Sequence, residues 1–324
     1  MTDAMLSRVA DHLYWMSRYL ERAEHTMRLL GVTLNMMLDY HSAQPDSRWQ
    51  NLLDSLYVTP PAGLRLDDYT VTRLLIFGHD EPASIVNCII EARENARHVR
   101  ELISSEMWER LNALYLQVRA ANVDAACRDE PFTFLRTLYD GFLLFQGFTD
   151  STMNHGEGWH FIQAGRYLER AIVTAHLLDV HSPLLKIPHP DQAVERYLDW
   201  VSLLKSCTAF EAYAKIHSAD VQPHHLLEFL LLNNEFPHAV SFSIAQVEAA
   251  LTAVAEGTEK CKGIRVNRLA GRLRAMLGYT AVDELMDGSL RGYLSDVKLQ
   301  CAQLHSAIHE TYIAYSIEAA LSGS

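Results

Sequence analysis

Residues 6–30 read Leu6-Ser7-Arg8-Val9-Ala10-Asp11-His12-Leu13-Tyr14-Trp15-Met16-Ser17-Arg18-Tyr19-Leu20-Glu21-Arg22-Ala23-Glu24-His25-Thr26-Met27-Arg28-Leu29-Leu30, and this run decides the fold. Its apolar positions are Leu6, Val9, Leu13, Met16, Leu20, Ala23, Met27 and Leu30, continuing to Leu34 and Met37. The spacings alternate three and four, which is the seam of a long helix packed along other helices. Thr2 or Asp3 is the candidate N-cap. Gly31 falls inside the run and predicts a bend, because a helical glycine costs about 1 kcal/mol relative to alanine.

Outward from this run the same reading predicts an all-α chain. Helices are expected at about 47–57 and 67–77, and from Ser84 along the seam Ile85, Ile89, Ala92, Ala96, Val99 and Ile103. Ser104-Ser105-Glu106 stops that helix and caps the next, over 106–120. Pro131 opens another as a first-turn proline. Further segments are expected near 131–149, 156–181, 191–217, 224–232, 238–256 and 281–319, with Pro188, Pro190, Pro223 and Pro237 at the joints. The stretch 264–266 is the one strand candidate. No Gly/Ser-rich or Pro-rich linker divides the chain, so one domain over 1–324 is expected.

One internal repeat stands out. His12, Arg18-Tyr19-Leu20-Glu21-Arg22-Ala23, Thr26 and Leu29-Leu30 recur as His160, Arg166-Tyr167-Leu168-Glu169-Arg170-Ala171, Thr174 and Leu177-Leu178. The offset is 166 − 18 = 148 throughout. A large helical bundle with a duplicated Arg-Tyr-Leu-Glu-Arg-Ala helix follows, in units of about 1–150 and 151–324.

Composition narrows the function classes. With 324 residues, 49% apolar and 21% charged, the chain is globular rather than disordered. A net charge of −12 argues against nucleic acid and anionic membrane as partners. Five dispersed cysteines without a C-x-x-C pair suit a reducing cytoplasm. They read as core residues, not nucleophiles. No signal-like N-terminus and no long uncharged apolar run is visible, so a cytoplasmic protein without a membrane span is expected. Nucleotide-binding glycine loops and a G-x-S-x-G elbow are absent.

Beside the apolar seam runs a polar stripe, Tyr14, Arg18, Glu21 and His25, in which Arg18 can meet Glu21 and Glu21 can meet His25 along the helix. Glu91, Glu94 and His98 share a face of a third charged helix, with Asn95 and Arg97 alongside. Three readings stand. The first is an ion-pair network that fixes helix register. The second is a carboxylate-bridged metal bundle. Against it, Val173 stands where the repeat would need a second His25, and the arginines oppose a cation, so no metal ligand is assigned. The third is an anion clamp, with the forked guanidinium groups of Arg18, Arg22, Arg97, Arg166 and Arg170 on a carboxylate or acyl phosphate. In its enzymatic form Glu21, Glu169 and Glu94 are the candidate catalytic bases, and the five arginines, Asn95 and Tyr14 bind substrate.

Three motifs carry a resemblance to a known family. Met5-Leu6-Ser7-Arg8-Val9-Ala10 with Leu13-Tyr14-Trp15 and Arg18 to Glu24 resembles the opening of the bacterial alpha-E family. Ala92-Arg93-Glu94-Asn95-Ala96-Arg97, Ser104, Glu106-Met107-Trp108-Glu109 and Leu111-Asn112 resemble its second signature, and Gly158-Trp159, Gly165-Arg166 and Leu168-Glu169-Arg170-Ala171 its third. The resemblance implies an all-helical protein encoded beside, or fused to, a circularly permuted ATP-grasp ligase, often with a transglutaminase-like protease. It also implies work on a peptide or amino-acid substrate by ATP-driven amide formation, with ATP and Mg held by the ligase and no cofactor on this chain. Two departures are visible. Tyr213-Ala214-Lys215-Ile216-His217 stands where the family tends to have Tyr and a basic run. Asn234-Glu235-Phe236-Pro237-His238-Ala239 places His238 where an arginine is usual.

Overall fold

A computed structural model describes residues 7–39, 45–185, 193–218, 220–257 and 263–313. The expected N-cap, Leu6, Pro188, Pro190, Cys261 and the helix tail beyond 313 lie outside the described residues. Within them the chain is all-α, with no strand. The helices are α1 (Ser7–Asp39), α2 (Pro45–Ser55), α3 (Asp68–Phe77), α4 (Ile85–His98), α5 (Ser105–Ala120), α6 (Pro131–Thr152) and α7 (Glu157–His181). They continue as α8 (Ala193–Ser206), α9 (Phe210–His217), α10 (Pro223–Leu227), α11 (Val240–Gly257), α12 (Ile264–Gly278), α13 (Val282–Asp287) and α14 (Leu290–Ile308).

Local chemistry explains several boundaries. Ser104 caps α5 by accepting from the Met107 amide at 3.2 Å, and Asp67 with Thr70 closes a capping box on α3. Pro131 occupies the first turn of α6. α1 runs through Gly31 without a break, and a Cβ at that position would lie 3.7 Å from Leu135 on α6. The expected helix over 191–217 is two helices. Thr208, at φ 53°, turns the chain left-handed, while the Thr208 amide donates to the Lys205 carbonyl at 2.9 Å and the Ala209 amide to that of Leu204 at 2.8 Å. That is a Schellman ending with threonine where glycine is usual. Burial of Cys207 and Ala209 holds it there. The expected helix over 281–319 breaks at Gly288, and Ser289 caps α14. Residues 264–266 are the first turn of α12, not a strand. Val266, Ala270, Leu273 and Leu277 make its buried stripe.

The long helices form two rings of four with the same connectivity. α1 packs on α4, α4 on α5, α5 on α6, and α6 returns to α1. In the second ring α7 packs on α11, α11 on α12, α12 on α14, and α14 returns to α7. The two repeat helices, α1 and α7, lie against each other and join the rings. α7 is accordingly buried nearly all round. At the crossing Gly165 meets the Tyr14 carbonyl and the Ser17 hydroxyl, and any Cβ there would overlap both. Ser17 is the residue that the 148-residue offset equates with Gly165. Among the described residues no helix is long and apolar enough to cross a membrane.

Candidate functional site

The face-to-face packing of α1 and α7 brings the two copies of the motif into one buried network. Glu169 accepts from Arg18 Nε at 2.7 Å and from Arg22 Nε at 2.7 Å, one on each carboxylate oxygen. Reciprocally, Arg170 grips Glu21 with two parallel bonds, Nε to Oε1 at 2.6 Å and Nη2 to Oε2 at 2.8 Å. The expected Arg18–Glu21 and Glu21–His25 contacts within α1 are therefore replaced by contacts across the helix pair. A 3.6-residue period puts these groups on one face without saying what that face meets. Stacking is repeated within each helix: Arg22 lies over the Tyr19 ring at 5.7 Å and Arg170 over Tyr167 at 5.2 Å.

The two halves differ at the remaining arginines. Arg18 also reaches His305 Nδ1 on α14 at 3.0 Å, and Tyr14 OH lies 2.9 Å from the same nitrogen. Arg166, its counterpart, turns to Gln163 Oε1 at 3.4 Å and Asp150 at 3.9 Å, leaving Glu21 wholly to Arg170. On the same side Glu24 pairs with Arg28 and accepts from Gln146 Nε2 at 2.6 Å. A cavity of about 10 Å³ lies among Ser17, Glu21, Glu24, Gln146 and Arg166. That is room for about one water molecule.

Burial and charge set the ionisation. Burial pushes the Glu169 carboxyl up, but Arg18 and Arg22 outweigh it and hold the group at about 2. Glu21 is likewise pushed up by burial and brought below its ordinary value by Arg170. Burial wins at Glu24, which is raised although Arg28 opposes the shift. His25 is fully buried, with Nε2 unpartnered among the described residues, and burial plus Arg28 lowers it well below its ordinary value. His238 is buried too, and burial, Arg170 and Arg28 keep it neutral. His238 is thus close enough to Arg170 to feel its charge, and Arg170 Nη1 donates to the carbonyl of the adjacent Pro237 at 3.3 Å.

The third candidate group stands apart. Glu94 pairs with Arg93 at 2.9 Å and with Arg97 at 2.8 Å on the open side of α4. Asn95 Oδ1 lies 2.9 Å from His12 Nδ1. None of these side chains bonds to Glu21 or Glu169 among the described residues. Nor do those residues gather three or more His, Cys, Asp or Glu into a metal-holding group.

Sequence reasoning passed over Gln146 and His305, and quoted Gly165 only as part of the third motif, without a packing role. Of the three only Gly165 carried a signal, a glycine within the repeat where its counterpart at the 148-residue offset is Ser17. Also missed was a cleft of about 250 Å³ between the C-terminal half of α1, α2, the end of α7 and α8. It is assembled from four separate stretches of chain and has no motif.

Fold and site together define a duplicated, all-helical bundle held at its centre by two reciprocal Glu-Arg pairs. The chain belongs to the Alpha-E family, described as a predicted alpha-helical domain with a conserved ER motif, whose family model matches residues 5–313. The Glu-Arg pair occurs in both copies of the repeat, as Glu21-Arg22 and Glu169-Arg170. Similar proteins include uncharacterised proteins of Mycobacterium bovis and Mycobacterium tuberculosis, each 21% identical over 336 residues covering 94% of this chain. The chain spans 36% of the length of these relatives. No solved structure matches it.

Proposed function

We propose that this chain is the helical accessory subunit of a cytoplasmic, ATP-grasp-type amide-ligating system. Its Arg/Glu core fixes the register of the two rings, while a circularly permuted ATP-grasp partner, with ATP and Mg, carries out the ligation on a peptide or amino-acid substrate. A transglutaminase-like protease is a further partner of such a set. The observation that carries the structural role for the core is the reciprocal pairing of Glu21 and Glu169. Every carboxylate oxygen already accepts a bond from an arginine of the opposite helix, and the adjoining space takes about one water. A general base must reach the proton it abstracts and must bind it near the working pH. A carboxylate held at about 2 in a closed core meets neither condition. That the relatives carry this region as 36% of a longer chain supports work beside other domains.

The test is reconstitution with the ATP-grasp partner, following amide product by mass spectrometry. Three preparations are compared: wild type, the cross-helix swap Glu21→Arg with Arg170→Glu, and the ligase alone. The expected result is product from both forms of the chain and none from the ligase alone. Full product without the chain would remove the accessory role. A swap that keeps its helix content yet yields no product would return the core to the chemistry.

A further inference from the structure

We infer that the outer face of α12 is a docking surface for the outer face of α5 on a second copy of this chain, so that copies join head to tail. The two helices are counterparts. α5 stands diagonally opposite α1 in the first ring and α12 opposite α7 in the second, so they occupy the two far corners. Met107, Leu111, Leu114 and Val118 form the buried stripe of α5, and the stripe of α12 repeats it at an offset of 266 − 107 = 159. At the same offset Glu106 and Glu109 on the exposed side of α5 become Arg265 and Arg268 on α12, and Ala113 becomes Arg272. Equivalent positions thus carry opposite charge.

Glu106, Glu109, Arg268 and Arg272 have no hydrogen bond or ion pair among the described residues. Arg265 is held by Glu310 and Arg274 by Glu248, each at 2.6 Å, so those two acids are already committed. The stretch Lys260–Thr280 holds six of the chain's 28 basic residues and no acid, in a chain of net charge −12. Neighbouring residues outside the described set do not reverse this sign: 258–262 hold Lys260 and Lys262 against Glu259, and 314–324 hold Glu318 as their one charged side chain. The face calls for an acidic partner, and α5 supplies acids at the matching spacing.

The two helices also run the same way. α1 and α7 are parallel, since Ser17 meets Gly165 and Arg22 meets Glu169. Two antiparallel steps lead from α1 to α5, through His12–Asn95 and Thr26–Ala83, then Arg100–Trp108 and Arg93–Tyr115. Two more lead from α7 to α12, through Arg170–Pro237 and Tyr167–Phe242, then Gly263–Ala255 and Gly271–Glu248. Moving a copy sideways without turning it therefore sets α5 beside α12 in parallel, with the glutamates level with the arginines. Pairing α5 with α5 or α12 with α12 in that sense brings like charges together. Exposed apolar side chains flank both faces: Leu116, Leu143 and Leu144 on α5 and α6, and Ile264, Tyr279 and Leu299 along α12 and α14. They are six of the eleven large apolar residues exposed among the described residues, so the contact has more than charge to bury. A heterologous contact leaves a free α5 at one end and a free α12 at the other, so assembly continues past two copies.

The test is sedimentation velocity on the 324-residue chain over a range of concentrations, at about 0.05 M and about 0.5 M salt. No ligase is present, so its failure leaves the accessory role standing. The average mass should rise with concentration past two copies, and the higher salt should weaken association about tenfold. Arg268→Glu with Arg272→Glu, or Glu106→Arg with Glu109→Arg, should each leave a monomer with unchanged helical circular dichroism. Mixing the two reversed chains should restore assembly, because each then meets the opposite charge on both faces. Should one reversed pair fail to fold, the other pair and the salt dependence still decide the matter. A wild-type chain that stays monomeric at low salt, a mass that stops at two copies, assembly that survives either reversal, or a mixture that stays monomeric would each overturn the assignment. A monomeric chain that loses its ATP-grasp partner on reversal of either face would likewise overturn it, and give that face to the ligase.

Discussion

Replacing Glu169 with Gln keeps the shape of the central network and removes its charge. The cost can be worked two ways. Glu169 is held at about 2 against an ordinary value of 4.5, and at 1.36 kcal/mol per pH unit this is a contribution of about 3 kcal/mol to folding. Independently, removing one member of a buried ion pair costs about 3–5 kcal/mol, because the partner charge stays buried. Here the partners left behind are Arg18 and Arg22, with side-chain exposures of 7% and 27%. Arg22→Gln should therefore be milder, about 1–2 kcal/mol, since Glu169 retains Arg18. Urea unfolding followed by helical circular dichroism measures both. The sign with pH is fixed: a depressed carboxyl stabilises fully above about 4.5 and loses that contribution as pH falls through about 2. The gap between wild type and Glu169→Gln should accordingly close at the acid end. A Glu169→Gln variant within 1 kcal/mol of wild type at pH 7, or one less damaged than Arg22→Gln, would refute the reasoning.

The glycines separate cleanly. Gly165→Ala should cost about 1–3 kcal/mol or more by overpacking the α1–α7 crossing, whereas Gly147→Ala, where a Cβ meets nothing within 4 Å, should gain up to about 1 kcal/mol, both read by urea midpoint. The buried histidines His25 and His238 are depressed in the folded chain, so the unfolded chain takes up their protons first. Stability should fall as pH drops below about 6.5, and His238→Gln should flatten that slope; a flat profile from pH 7.5 to 5.5 would count against it. Burial pushes the thiols of Cys88, Cys207 and Cys301 up to about 12, so peptide mapping after iodoacetamide at pH 8 should find them unmodified in the folded chain and alkylated after unfolding.

The helical class and the equivalence of the two motif helices were legible because each rests on local periodicity. The three–four seam from Val9 to Leu34 places the core face, and the 148-residue offset marks α7 as its copy. The pairing was not legible. Arg18 and Glu21 lie three apart on one face whether they bond to each other or across to Glu169 and Arg170. Thr208 and Tyr57 both adopt left-handed backbone where no glycine gives warning, because buried neighbours pull the chain through the turn. The residues that line the cleft between α1, α2, α7 and α8 come together only because α2 and α8 are folded onto the same end of α1, a relation between segments that no spacing encodes.

The reciprocal contacts between α1 and α7 have a consequence for how the protein holds together. Residue 17 meets residue 165, and 22 meets 169 as 170 meets 21, so each patch is matched to a copy of itself. This is an isologous interface of the kind that joins identical subunits, here between two halves of one polypeptide. A free dimer of that design dissociates on dilution and must be repaired by the same substitution on both sides. The covalent version does neither. Its association does not depend on protein concentration, and each side can vary alone, as where Ser17 faces Gly165 and Arg18 engages His305 while Arg166 does not.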